Sequence, residues 1–194
     1  MSPRLDAVWR TLLDATPRWQ PLDAPRHNAE SERSPQALVA SIAQFHVEVA
    51  KRYKPERDKD GDNPRTFCNV FVSDVTRALN AEIPHWVDGA GEPSEVGHGF
   101  EQTANRINTW LWQHGQRFGW HDCTAEQART VAAKGHPVVA SWANFHGPGH
   151  VVVVTASPPY PQQIHVAQAG VLRTERCKLK AAFGSRVAEF FWHP

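Results

Sequence analysis

The order of two kinds of apolar pattern constrains the fold of this chain more than any other feature of its sequence. Apolar residues recur at helical spacing through the first 135 residues, and strand-like segments separated by turn-rich loops follow. These strand-like segments are 137–142, 150–154, 164–168 and 186–192. Helices followed by closely spaced strands are typical of an α+β fold. We therefore expect N-terminal helices packed on a C-terminal antiparallel sheet.

The N-terminal part of the chain predicts two helices joined by an irregular arm. A helix is predicted over residues 5–13, with an apolar face formed by Leu5, Val8, Trp9 and Leu12. Three prolines then interrupt any regular pattern. A second helix begins at Ser34-Pro35, and its apolar stripe comprises Leu38, Ile42, Phe45, Val49 and Tyr53. We interpret residues 1–34 as an N-terminal helix and linker arm, and residues 35–194 as a single domain.

The charge balance gives no reason to expect a nucleic-acid partner. The sequence has 21 Lys and Arg against 20 Asp and Glu, a formal net charge of +1, so electrostatic recognition must be local. The first residues lack the apolar core of a secretory signal, and the apolar runs are too short to span a bilayer. We expect a chain made in the cytoplasm without a signal peptide and without a membrane span.

Neither a metal nor a cofactor is expected. The acidic segment 58–62 resembles a calcium-binding loop, but Asn63 and Asn69 occupy the positions of its turn glycine and its bidentate glutamate. Phosphate-binding glycine loops and nucleophile-elbow serines are absent. The cysteines lack Cys-x-x-Cys spacing and predict reduced thiols at Cys68, Cys123 and Cys177.

Cys68 is the candidate nucleophile. The stretch from Pro64 to Asp74 passes from turn-forming residues to a helical apolar pattern, and the cysteine lies where the helix begins. Free backbone N–H groups and the positive end of the helix dipole favour thiolate over thiol at such a position. The alternative is a buried, unreactive cysteine, as most free cysteines are. A catalytic role requires a nearby base.

His150 is the best candidate for that base. It opens an apolar strand directly after Gly147-Pro148-Gly149, where glycines would leave room for a substrate backbone. The following strand offers Gln168 or His165 to orient the imidazole. Because these two are an odd number of residues apart, they point to opposite faces of a regular strand, and only one can contact His150. We favour Gln168 and keep His165 as the alternative.

The sequence resembles the NlpC/P60 and CHAP groups of papain-like cysteine hydrolases in three features. These are a helix-borne cysteine within Thr66-Phe67-Cys68-Asn69-Val70-Phe71, a strand that opens with Gly149-His150, and a polar residue on the next strand. The resemblance covers about residues 36–170. It departs from the NlpC/P60 pattern beside the nucleophile, where Phe67 and Asn69 replace the usual neighbours, and in a long insert at 81–103. It implies a papain-like NlpC/P60 fold.

The resemblance also implies an activity, namely cleavage of amide bonds in peptidoglycan peptides. Cys68 matches the nucleophile, His150 the base, and Gln168 or His165 the orienting residue. Tyr53 is placed to be the counterpart of a tyrosine that helps to hold the oxyanion in some members. We expect the substrate to contact Asn69, Trp86, Trp142 and Asn144.

A wall hydrolase without a signal peptide resembles toxins delivered to the periplasm by contact-dependent secretion, and phage lysis enzymes. The implied partners are a peptidoglycan or peptide substrate, together with an immunity or delivery protein. Three other functions stay open. The same residues would serve an acyltransferase or deamidase acting on protein side chains, an inactive binding module could retain the scaffold, and zinc binding through Cys68, His150 and His165 is a more distant idea because close-spaced ligand pairs are missing.

Overall fold

The computed structural model describes residues 2–57, 64–156 and 162–194, and the acidic segment 58–62 considered above lies outside them. The helices are α1 (Pro3–Ala15), α2 (Pro35–Ala43), α3 (Cys68–Ala78), α4 (Ala104–Gln113), α5 (Ala125–Ala132) and α6 (Leu179–Phe183). Short 3₁₀ helices span Glu30–Glu32, Lys51–Tyr53 and Gly115–Phe118. The strands are β1 (Glu56–Arg57), β2 (Pro64–Arg65), β3 (Trp86–Val87), β4 (Phe100–Glu101), β5 (His121–Cys123), β6 (Val138–Trp142), β7 (His150–Thr155), β8 (His165–Ala169), β9 (Arg173–Lys178) and β10 (Glu189–Trp192).

A six-stranded sheet forms the centre of the fold. Its strand order is β5-β10-β6-β7-β8-β9, and every neighbouring pair is antiparallel. β1 pairs with β2, and β3 pairs with β4, as separate two-stranded ribbons. The expectation of an α+β fold is therefore confirmed. Helix α3 packs on β7 and β8. The start of α3 lies beside the start of β7, since Cys68 contacts His150 and the backbone N–H of Val151.

Helix α3 is buried on nearly all sides. Nine of its eleven residues are buried, including the polar Ser73 and Asp74. The sheet covers one side of the helix, while α2, α4 and the 3₁₀ helix Lys51–Tyr53 contact it elsewhere. A helix enclosed in this way belongs to the core and has little freedom to shift. Its first residue, Cys68, is held correspondingly rigidly.

The N-terminal arm is bound to the domain through its side chains and through its backbone carbonyls. The Trp9 indole donates a 2.8 Å hydrogen bond to the Gln44 carbonyl, and Leu22 and Ala24 belong to the same apolar core as the sheet. The buried guanidinium of Arg52 donates to four carbonyl oxygens of the arm, those of Thr16, Pro17, Arg18 and Gln20. The arm therefore contributes to the folded core.

Two details of the predicted helices are wrong. Helix α2 ends at Ala43 and does not continue to Tyr53, because the chain reverses at His46, whose φ of 45° lies in the left-handed region. The predicted apolar face of α1 is also rotated. Trp9 and Leu13 are the buried residues of α1, whereas its exposed apolar residues are Leu5, Val8 and Leu12.

Across the described residues, no helix is both long and apolar enough to cross a membrane.

Candidate active site

A cleft of about 1110 Å³ opens where the start of α3 meets the sheet. Cys68, His150 and Gln168 lie side by side in its wall. The β1–β2 ribbon borders one side, and the segment following α6 borders another. The cleft lining also includes Asn69, Glu101, Asn105, Trp142, Leu172 and Arg186.

Cys68 occupies the first position of α3, at a helix start without a side-chain cap. Ser or Thr side chains cap α2, α4 and α5, but Phe67 precedes α3 and offers no side-chain acceptor. The first N–H groups of α3 are therefore left for other partners. One of these partners is the sulfur itself, which accepts from the backbone N–H of Asn69 and from that of Val151.

The environment of Cys68 favours the thiolate. Burial alone raises the pKa of the Cys68 thiol, because a charged sulfur is poorly solvated there. The hydrogen bond and positive charge of His150, together with the two backbone N–H groups, outweigh burial and bring the pKa below its ordinary value. A thiol with this property at the wall of an open cleft has the character of a nucleophile.

His150 lies between Cys68 and Gln168. Its Nε2 is 2.8 Å from Gln168 Oε1, and since an amide oxygen can only accept, Nε2 carries the proton and donates. The Nδ1 atom is then the ring nitrogen left to face the Cys68 sulfur. Burial lowers the pKa of His150, but the bond and charge of Cys68 and the bond to Gln168 outweigh it and raise the pKa. The pair therefore favours thiolate with imidazolium.

Gln168, and not His165, contacts His150. The two residues lie three apart on β8, so their side chains leave opposite faces of the strand. His165 lies opposite Thr155, at the end of β7 away from His150, and is paired with Lys178 of β9 on its other side. Burial, followed by the charges of Arg176 and Lys178, lowers the pKa of His165. The amide nitrogen of Gln168 lies 3.6 Å from the sulfur of Cys177 on β9. This contact directs the amide nitrogen away from His150 and the amide oxygen toward it.

Asn105 stabilises the loop before His150 through side-chain hydrogen bonds. No pattern in the sequence indicated this role. Its Nδ2 donates to the carbonyls of Asn144 and Gly147 at 3.0 and 2.9 Å, and its Oδ1 accepts from the Asn144 N–H at 2.8 Å. A Cβ on Gly149 would lie 2.2 Å from Asn105 Oδ1. Gly149 is thus required for close packing against Asn105, whereas the sequence suggested that it leaves room for substrate.

Tyr53 does not lie at the cleft wall, where a residue that stabilises the oxyanion would have to be. Its side chain is fully buried, and its hydroxyl donates a 2.7 Å hydrogen bond to Asp74 Oδ2. The same carboxylate receives two hydrogen bonds from Arg52, at 2.7 and 3.0 Å. Burial and the Asp74 charge raise the pKa of Tyr53 well above its ordinary value. Tyr53 does not line the cleft, and its contacts give it a role in the buried ion pair.

The four residues expected to contact substrate divide evenly. Asn69 and Trp142 line the cleft, although the Asn69 amide already donates to the Gln102 carbonyl at 2.9 Å. Trp86 instead borders a separate cavity of about 380 Å³, where its indole donates to the Trp19 carbonyl. Asn144 stabilises its own loop by donating to the Pro148 carbonyl at 3.3 Å.

Two further neighbours of His150 were missed by the sequence analysis. The Phe183 ring lies 5.4 Å from the imidazole, centroid to centroid, and Arg186 lies over Trp142. Both lie beyond residue 170, where the resemblance to the NlpC/P60 and CHAP groups ends, so no motif pointed to them.

In the described part of the chain, no group of three His, Cys, Asp or Glu side chains could hold a metal ion. No protein-family model matches the chain.

Proposed function

We propose that this chain is a papain-like cysteine hydrolase of the NlpC/P60 or CHAP type, and that it cleaves amide bonds in peptidoglycan peptides. The observation that carries the proposal is the series of contacts from the Cys68 thiol through His150 to Gln168, in the wall of an open cleft. A helix-borne cysteine facing a histidine on an antiparallel sheet is also what the sequence resemblance implies. The choice of peptidoglycan rests on that resemblance.

The proposed reaction begins with the thiolate of Cys68 and the imidazolium of His150. The sulfur attacks the amide carbonyl, and the carbonyl oxygen becomes an oxyanion that the backbone N–H of Cys68 stabilises at the start of α3. When the C–N bond breaks, His150 transfers its proton to the leaving amine. The acyl group remains on the sulfur as a thioester.

Water completes the cycle. His150, now neutral, accepts a proton from a water molecule as that water attacks the thioester. The C–S bond breaks, the product leaves as a carboxylic acid, and the thiolate–imidazolium pair is restored. Gln168 accepts from His150 Nε2 throughout, which keeps Nδ1 directed at the sulfur and at the leaving group.

Digestion of purified peptidoglycan tests this proposal. The wild-type protein and Cys68→Ala are incubated with peptidoglycan, and the released fragments are identified by mass spectrometry. We expect the wild type to split stem peptides or cross-links, and we expect Cys68→Ala to release none while keeping the wild-type circular dichroism spectrum. Equal cleavage by both proteins would refute the nucleophile. Loss of a side-chain amide without chain cleavage would instead identify a deamidase.

A further inference from the structure

Three arginines of the cleft lining, Arg57, Arg65 and Arg186, have no acidic partner in the described part of the chain. Arg57 and Arg65 belong to the β1–β2 ribbon, whereas Arg186 follows α6 and lies over Trp142. The two acidic residues that line the cleft are engaged, since Glu56 pairs with Arg18 and Glu101 accepts from His85 at 3.2 Å. Among residues 2–57, 64–156 and 162–194, the guanidinium of Arg186 has one hydrogen-bond acceptor, the Phe183 carbonyl at 3.5 Å. Most of its five N–H donors therefore remain available to a bound molecule.

The position of Arg186 is fixed next to the reacting groups. Its guanidinium carbon lies 4.5 Å from the centre of the Trp142 ring. Trp142 is the residue paired with His150 across β6 and β7, and the positive charge of Arg186 is close enough to oppose the raised pKa of His150. Stacking on an aromatic face holds a planar guanidinium in one orientation and lowers the entropy lost when it binds an anion.

Another part of the cleft wall beside His150 is apolar. Gly170 lies so close to the imidazole that a Cβ there would be 3.2 Å from His150 Cε1. The next two residues, Val171 and Leu172, line the cleft and are 73% and 51% exposed. The cleft around His150 therefore offers a bound substrate both a cation and exposed aliphatic side chains.

We propose that Arg186 is a specificity-determining residue that binds a carboxylate located close to the scissile amide of the substrate. The inference rests on the proposed function, because it assumes that Cys68 attacks an amide held in this cleft. It adds the charge of the preferred substrate, which the net charge of +1 does not reveal. A guanidinium pairs with a carboxylate through two parallel hydrogen bonds, and such charge-assisted bonds discriminate by about ten- to hundredfold against a neutral amide.

A matched pair of small alkylating reagents tests the proposal at Cys68 itself. Iodoacetate and iodoacetamide have nearly the same shape and differ in the charge of one group. Their rates of reaction with Cys68 are read by peptide mass mapping, which separates Cys68 from the other two cysteines. We expect Arg186→Gln to lower the iodoacetate-to-iodoacetamide rate ratio by about fivefold, the effect of removing one charge about 4 Å from a solvated anion. Arg186→Lys should retain most of the ratio.

One control variant and two contrary outcomes separate the possible results. Arg10→Gln removes an exposed positive charge from α1 and should leave the ratio unchanged. A ratio that is identical in wild type and Arg186→Gln would overturn the role of Arg186 and leave the proposed function standing. Failure of Cys68 to react with either reagent would contradict the proposed function and would remove the basis of the inference as well.

Discussion

Replacing Gln168 by Leu should impair the pair formed by Cys68 and His150 without altering either residue. Leu has a similar size but lacks the oxygen that accepts the 2.8 Å hydrogen bond from His150 Nε2. Gln168 is 3% exposed, so water is not expected to replace the lost acceptor freely. A buried donor without a partner costs about 1–3 kcal/mol, which corresponds to about a five- to hundredfold loss of the imidazolium form.

The rate of Cys68 alkylation by iodoacetamide at neutral pH measures this loss. We expect Gln168→Leu to react at least about fivefold more slowly than wild type, because less of the thiolate is paired with imidazolium. His165→Gln is the matched control on the opposite face of β8, and its alkylation rate should stay near that of the wild type. A normal rate in Gln168→Leu with a slow rate in His165→Gln would refute the assignment of the orienting residue.

Three other substitutions test the supports of the site. Asp74→Ala should lower the free energy of unfolding by about 3–5 kcal/mol, because the Arg52 side chain, 1% exposed, loses its counter-charge; urea denaturation measures this. Asn105→Ala removes three hydrogen bonds from the loop before His150 and should reduce Cys68 alkylation by about tenfold. Cys177→Ala removes a weak acceptor from the Gln168 amide and should slow alkylation by about threefold.

Asp23→Ala is the control for Asp74→Ala. It breaks an exposed ion pair with Arg77 and should change the free energy of unfolding by less than about 1 kcal/mol. An equally small change in Asp74→Ala would show that the buried Arg52–Asp74 ion pair does not stabilise the fold. An unchanged rate of Cys68 alkylation in Asn105→Ala would show that the loop before His150 keeps its conformation without these hydrogen bonds. Cys177→Ser keeps a polar acceptor and should react closer to the wild-type rate than Cys177→Ala does.

The residues of the candidate site could be predicted from the sequence more readily than the residues that surround them. A cysteine at a helix start and a histidine at a strand start are local patterns, and the structure brings Cys68 and His150 together. The choice between Gln168 and His165 required more, because alternation places them on opposite faces but does not say which face α3 covers. That depends on how the sheet packs on the helix, which is a long-range property.

The parts that were missed have physical reasons of the same kind. Tyr53 keeps the helical phase of α2, yet a left-handed residue at His46 ends that helix, and the tyrosine hydroxyl binds Asp74, 21 residues later. Strand β9 was not predicted because it is an edge strand with the polar sequence Arg-Thr-Glu-Arg-Cys-Lys, without the alternation of a half-buried strand. Arg186 was expected to open a strand over 186–192, but the strand begins at Glu189, and Arg186 lies in the segment between α6 and β10.

The pH dependence of Cys68 alkylation is the most direct test that His150 activates the thiol. A lowered pKa means that the thiolate persists at lower pH, so the rate should rise through a midpoint below the ordinary cysteine value of about 8.5. His150→Ala removes the opposing charge but leaves the burial, so the midpoint should move upward, to the ordinary value or beyond. A wild-type midpoint at or above that value, or the same midpoint in both proteins, would contradict the account.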